Sequence, residues 1–352
     1  MEDGNKLAEL LEAHREFILT NVIQSLSDRI PSVEWEVYLP LFFQHYKRSI
    51  VASDIKITER FLIWFSGMIR SHYSEESIPD TLLETFTNHL NTTLNHSDKH
   101  HFLSLLNNYR QTMDTLQNEH ADEFSWINPD HELGELAQNY FDFLAKGDRN
   151  AASLLIHDAL ESGISIKDIY LHVFKPALYE IGRLWEKNKI TIGQEHFFTA
   201  STQMIMSQLY PFIFRTERNG HSMVATSIGG ELHEIGLRMV SDFFELEGYD
   251  TYYLGANIPH NAVLDEVKIR NAHLIAVSVT IASHLDEAEQ LIRNIRTTAE
   301  LKDTLIIVGG YPFNQNPDLW KSIDADFCAT DAEQAIQWAN QKLSIKAGNE
   351  QQ

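Results

Sequence analysis

Residues 229–236 read Gly-Gly-Glu-Leu-His-Glu-Ile-Gly, which sets His233 between Glu231 and Glu234 just after a glycine pair. An imidazole can bind a metal through one ring nitrogen while a carboxylate takes the proton on the other. Glu231, two residues upstream, has the chemistry for that second role. Downstream stand Ser278 and Thr280, then Gly309-Gly310; upstream, Trp185 is followed after nine residues by Glu195-His196. The chain has one cysteine, Cys328, which excludes an intramolecular disulfide framework and a thiolate metal cluster. A lone histidine cannot hold a free metal ion, but it can ligate a metal that arrives in a macrocycle. The glycine-rich turns carry no G-x-G-x-x-G or Walker pattern, so they do not point to nucleotide phosphates.

The elements that must position these residues fall into three regions. From residue 222 onward, short apolar runs alternate with helical segments: SMVATSI, DTYYLG, LIAVSV, TLIIVGG and ADFCA. That alternation predicts a doubly wound, Rossmann-like parallel sheet over 221–347, with the flavodoxin-like strand order. In such a sheet the loops after the strands share one rim. The Gly229–His233 turn with Leu232, the Gly255-Ala256-Asn257 turn, Ser278 with Thr280, and Gly309-Gly310 would meet there. Residues 131–215 have apolar positions three and four apart and predict a four-helix bundle, interrupted at Gly163, Pro176 and Gly193. Residues 1–123 predict an all-helical N-terminal domain, with helices over 6–26, 33–51, 57–73, 79–94 and 98–117. The expected class is mainly α plus α/β.

The rim residues carry a specific resemblance. Glu231-x-His233-x-x-Gly236 is followed after 41 residues by Ser278-x-Thr280, and after 28 more by Gly309-Gly310. Order and gaps resemble the cobalamin-binding fold. The resemblance implies that His233 replaces the nucleotide base as lower ligand to cobalt. Ser278 and Thr280 would contact the displaced base in a slot lined by Gly309 and Gly310. Glu231 departs from the aspartate usual at its position. Trp185, nine residues and Glu195-His196 resemble the cap motif of light-sensing cobalamin photoreceptors of the CarH/LitR type. There the Trp and the Glu-His pair cover the upper face and hold the 5′-deoxyadenosyl group. An indole suits an apolar face, and Glu and His suit ribose and adenine. The histidine that follows the Trp in the best-known photoreceptors is Glu186 here, which excludes a bis-histidine lit state through that position.

The resemblance implies an adenosylcobalamin-dependent light sensor rather than an enzyme, with no residue assigned to catalysis. Two rivals stand beside it: a corrinoid methyl carrier of a methyltransferase system, which shares the His233 motif, and a non-photochemical cobalamin-sensing antirepressor. Taken singly, each residue has a plainer reading, with His233 a turn histidine, Trp185 a bundle core residue, Ser278 a strand end and Gly309-Gly310 a turn. The matched spacing favours the site.

Net charge is −22 and no basic cluster occurs, which argues against direct nucleic-acid binding. The N-terminal domain is expected to serve homo-oligomerisation or a partner protein. The photoreceptor resemblance implies a sharper alternative, a second, non-covalent chromophore such as biliverdin, with Trp35, Tyr38, Phe42, Phe43, Tyr46, Phe61, Trp64 and Phe65 as pocket or core. No apolar run approaches membrane-spanning length and no signal-peptide pattern opens the chain, so a cytoplasmic, membrane-free protein is expected.

Overall fold

Five short strands form one parallel sheet: β1 (Ser222–Ser227), β2 (Asp250–Gly255), β3 (Leu274–Ser278), β4 (Leu305–Gly309) and β5 (Phe327–Cys328), in the order β2-β1-β3-β4-β5. This computed structural model describes residues 2–51, 54–73, 78–93, 125–315 and 318–350. The order is that of a flavodoxin-like doubly wound sheet, with its switch point between β1 and β3. Every residue of β1 is buried, as expected for a central parallel strand covered on both faces. Helix Leu285–Thr297 shows how the covering works: Leu285, Ala288, Leu291, Ile292 and Ile295 share one face and are all buried. Each of the leucines and isoleucines contributes roughly 1.5–3 kcal/mol, and Ala288 less. Cys328 is half-buried in β5, and burial pushes its thiol up.

Strand register lines up the rim. Ser227 pairs with Ser278, and Ser278 with Gly309, across β1, β3 and β4. The C-terminal ends of three adjacent strands therefore stop level, and the turns that follow open on the same edge.

The helical segment before the sheet comprises Gly134–Ala145, Arg149–Glu161, Ile166–Ile169, a π-helical turn at Tyr170–Phe174, Lys175–Glu186 and Ile192–Gln208. Asp148 starts the second of these by accepting from Ala151 N at 2.9 Å. The expected interruption at Pro176 does not occur. Helical backbone runs on through it, because the wide π turn just upstream absorbs the missing N–H and the ring's clash with the previous turn. Gly193 likewise lies in the first turn of a helix, not between helices.

N-terminal helices cover Glu2–Ala13, Arg15–Arg29, Trp35–Val51, Lys56–His72 and Ile78–Thr93. The single helix expected over 6–26 is broken at His14, and Pro79 sits at the second position of its helix, where a missing N–H is harmless. The helix expected over 98–117 lies outside the described residues. Trp35, Phe42, Phe43, Tyr46, Phe61 and Phe65 are buried in one core cluster, and Tyr38 and Trp64 pack against it partly buried. Phe42 meets Phe86 edge-on at 4.9 Å, a favoured aromatic geometry.

The chain divides into two compact units. One comprises Met1–Asn128 with Ala177–His196, the other Pro129–Pro176 with Phe197–Gln352. No helix among the described residues is long and apolar enough to cross a membrane.

Candidate functional site

The turn after β1 is built to present one imidazole. Ile228 O accepts from Glu231 N at 3.1 Å, and Gly230 takes φ +81°, a conformation that side chains resist. The turn after β2 braces it, since Gly230 N donates to Asn257 Oδ1 at 2.8 Å and Asn257 N to Glu231 O at 3.0 Å. A side chain at Gly230 would also meet the His284 ring, whose Nε2 lies 3.5 Å from the Cβ position.

Glu231 is fully buried, with donors on both carboxylate oxygens. Oε1 accepts from His233 N at 3.1 Å and His233 Nδ1 at 2.6 Å. Oε2 accepts from Thr280 N at 2.8 Å, Ile281 N at 3.1 Å and His284 Nδ1 at 3.2 Å. Burial alone would push this carboxyl up. The bonds from His233, His284 and the backbone amides outweigh it and hold the group well below the usual carboxylate range. An ionised carboxylate only accepts, so His233 must carry its proton on Nδ1. Nε2 is then the nitrogen with the electron pair for a metal.

The His233 side chain is 60% exposed over a fully buried acid, and Leu232 beside it is 73% exposed. Gly236 lies in the first turn of helix Ile235–Leu246. Glu234 faces elsewhere, accepting from Gln203 Nε2 at 2.8 Å and Tyr253 OH at 3.1 Å, and so links a helix of the preceding segment to the end of β2.

Ser278 ends β3, and Val279 N donates to Gly309 O at 3.0 Å. Gly310 has φ +109°, and a Cβ there would come within 1.9 Å of Val279 O. Only glycine lets the β4 turn lie this close to the β3 exit. Thr280 reaches Glu231 through its backbone amide. The structure thus brings Glu231, His233, Thr280 and His284 into one network on the rim where Ser278, Gly309 and Gly310 also lie. His284 did not emerge from the sequence; its one signal is that it follows Ser278 in the same rim loop.

Trp185, Glu195 and His196 fall in the other compact unit. Thr191 and Gln194 form a capping box: Thr191 N donates to Gln194 Oε1 at 2.8 Å, and Gln194 N to Thr191 Oγ1 at 3.3 Å. That box starts helix Ile192–Gln208 and places Glu195 and His196 in its first turn. His196 Nδ1 lies 2.5 Å from Glu195 Oε2, with the ring largely exposed. Trp185 is half-buried, its ring 6.2 Å from that of His72 at 61°. Glu186 accepts from Trp64 Nε1 at 3.0 Å; burial pushes its carboxyl up, partly offset by that bond.

Among the described residues no group of three or more His, Cys, Asp or Glu could hold a metal ion. An exposed imidazole with its Nδ1 held by a buried acid, beside a turn that only glycine can make, suits instead a metal brought in a flat macrocycle.

The comparisons agree with that chemistry. A B12 binding domain model matches residues 221–338, and a second B12 binding domain model matches residues 136–210. The chain is 24% identical over 170 residues to dimethylamine corrinoid protein 1 of Methanosarcina mazei, covering 47% of this chain and 76% of that protein. It is 26% identical over 193 residues to monomethylamine corrinoid protein 1 of the same organism, covering 53% and 87%. A corrinoid protein of Desulfitobacterium hafniense is 23% identical over 218 residues, covering 60% and 97%. The monomethylamine corrinoid protein structure from Methanosarcina barkeri shares the fold, with a TM-score of 0.53 at 19% identity, covering 60% of this chain and 99% of that one. With B12-binding domains over both the helical segment and the sheet, the chain is a cobalamin-binding protein.

Proposed function

We propose that the protein binds cobalamin with His233 as lower ligand to cobalt and works as a corrinoid methyl carrier, loaded and unloaded by a partner methyltransferase. The observation that carries the cofactor reading is the Glu231–His233 pair at 2.6 Å, with the acid buried and the ring exposed. Relatives named as methylamine corrinoid proteins support the methyl chemistry. Cobalamin supplies a cobalt centre that takes up and releases a methyl group. His233 Nε2 would hold that centre, while Glu231 keeps the ring oriented and His284 with the Thr280 and Ile281 amides keeps Glu231 in place. With the cofactor bound, Ser278, Thr280, Gly309, Gly310 and Leu232 on the same rim would line its site. The chain carries the group while its partner supplies the catalysis, and the N-terminal helices are the surface for that partner or for a second copy.

A second reading, an adenosylcobalamin light sensor, is favoured by one observation: the capping box that sets Glu195-His196, with nine residues between them and Trp185, in a first helical turn. In that reading Trp185, Glu195 and His196 cover the adenosyl group, and its loss in light is the signal. Biliverdin drops out of the proposal, because the aromatic residues meant to line its pocket pack against one another as core.

Binding of adenosyl-, methyl- and hydroxocobalamin in the dark, followed by sizing before and after green light, separates the two. A carrier binds the three forms with similar affinity and keeps its size in light. A sensor prefers adenosylcobalamin more than about tenfold, a difference of roughly 1.4 kcal/mol, and changes size on illumination.

A further inference from the structure

Helix Lys56–His72 and the turn at Trp185 belong to the same compact unit, and three contacts join them. Trp64 Nε1 donates to Glu186 Oε1 at 3.0 Å in a part-buried setting. The His72 ring meets the Trp185 ring edge-on at 6.2 Å. Asn188 Nδ2 donates to Ser71 O at 2.9 Å, with Asn188 itself at φ +52°. The spacing explains why one helix makes all three, since positions 64, 71 and 72 are seven and eight residues apart, two turns along one face. Two of the contacts fall on Trp185 and Glu186 and the third on Asn188, so the turn is held at both ends. Trp126 N adds a tie further up helix Lys175–Glu186, donating to Glu180 Oε2 at 3.1 Å.

An indole N–H on a part-buried carboxylate is a costly bond to leave unmade. Trp185 touches this helix through the His72 ring and precedes Glu186 directly, so a shift of the Trp185 backbone would load the Trp64 bond. A tight coupling of this kind passes a local change between two elements as a population shift.

We propose that helix Lys56–His72 reads the Trp185 turn: Trp64 and His72 act as positioning residues that fix Trp185, and a change in what Trp185 packs against passes through them into the N-terminal helices. The inference rests on the reading in which Trp185 covers the bound cobalamin, but not on what chemistry follows binding. It gives the N-terminal helices a task as the responding element.

Hydrogen exchange on the full chain tests it, with and without adenosylcobalamin in the dark, using wild type, Trp64→Phe, Glu186→Leu and Glu186→Gln. The reporting amides at the turn are those of Lys187, Asn188 and Lys189, which donate to Arg183, Trp185 and Leu184. Without cofactor, Trp64→Phe and Glu186→Leu should speed their exchange about fivefold, the loss of one such bond. Glu186→Gln, which keeps the accepting oxygen, should stay within about twofold of wild type. With cofactor bound, exchange over 60–72 should slow in wild type, and Glu186→Leu should lose that response while its visible spectrum still shows bound cobalamin. Equal exchange in Glu186→Leu and wild type, or a response at 60–72 that survives Glu186→Leu, overturns the proposal. So does a silent 60–72 segment in cofactor-loaded wild type. A visible spectrum that never changes on mixing refutes the cofactor reading instead, and the cofactor-free arm still judges the contact.

Discussion

His233 Nδ1 lies 2.6 Å from Oε1 of a Glu231 that has no exposed surface, while the imidazole itself is largely open. The buried acid cannot turn away, because its other oxygen is held by two amides and by His284. Glu231→Gln should therefore weaken cobalamin binding by about 10–100-fold, the usual loss when a partner that orients a metal ligand is removed. Titration of the cofactor against the variant measures it. An unchanged Kd would mean that the pair serves only the turn.

His284→Ala removes one of the donors on Oε2 and spares both amides. Its effect should be smaller than that of Glu231→Gln, about tenfold or less in cobalamin affinity. His284→Asn, whose side-chain NH2 can still donate, should recover part of it. A His284→Ala loss as large as that of His233→Ala would show that His284 is itself a ligand.

The β4 turn offers a stability test apart from the cofactor. Gly310→Ala places a Cβ within 1.9 Å of Val279 O at φ +109°, so backbone must move. Strain of this kind costs about 1–3 kcal/mol, with the enforced shift added to it. At Gly309 a Cβ would stand 3.2 Å from Ala329 O, and its substitution should cost less. Thermal unfolding of the two variants orders them, and a Gly310→Ala protein as stable as wild type would refute the close approach.

Asp242 gives the fold a pH dependence. It is buried 15 residues beyond β1, accepting from Tyr170 OH at 2.8 Å, and burial pushes its carboxyl up to about 6 despite that bond and nearby Arg238. The folded state then holds a proton that the unfolded chain releases near the ordinary value of 3.8. Stability contributed by this group is full below that value and declines as pH rises to about 6. Asp242→Asn keeps an accepting oxygen for Tyr170 and removes the decline. Its advantage over wild type should grow by roughly 2–3 kcal/mol between pH 4 and pH 7. Tm measured across that range checks the sign; a constant difference would contradict it.

The sheet was legible because a parallel strand buried on both faces reads as a largely apolar run, as β1, β3 and β4 do, while β2 at the sheet edge is only half-buried. Once those runs and their helices are set, the level strand ends follow from register, and His233 must sit at the rim. Pro176 misled because the π turn that accommodates it has no residue signature. Pro79 was legible as a helix start, because the residue that stops a helix interior is welcome in a first turn. His284 was invisible since its link to Glu231 spans 53 positions and depends on the path of the loop after β3. The ties from Trp64 and His72 to the Trp185 turn are of the same sort, tertiary contacts between segments that share no pattern.

One bond is central to the proposed function, from His233 to cobalt. Electron paramagnetic resonance of cob(II)alamin bound to protein labelled with 15N-histidine observes it directly, because the axial nitrogen splits the cobalt lines. Ligation by His233 predicts a two-line 15N splitting in place of the three-line 14N pattern, and its loss in His233→Ala. A three-line pattern that persists in labelled protein would show the cofactor's own base still on cobalt, and would contradict the assignment.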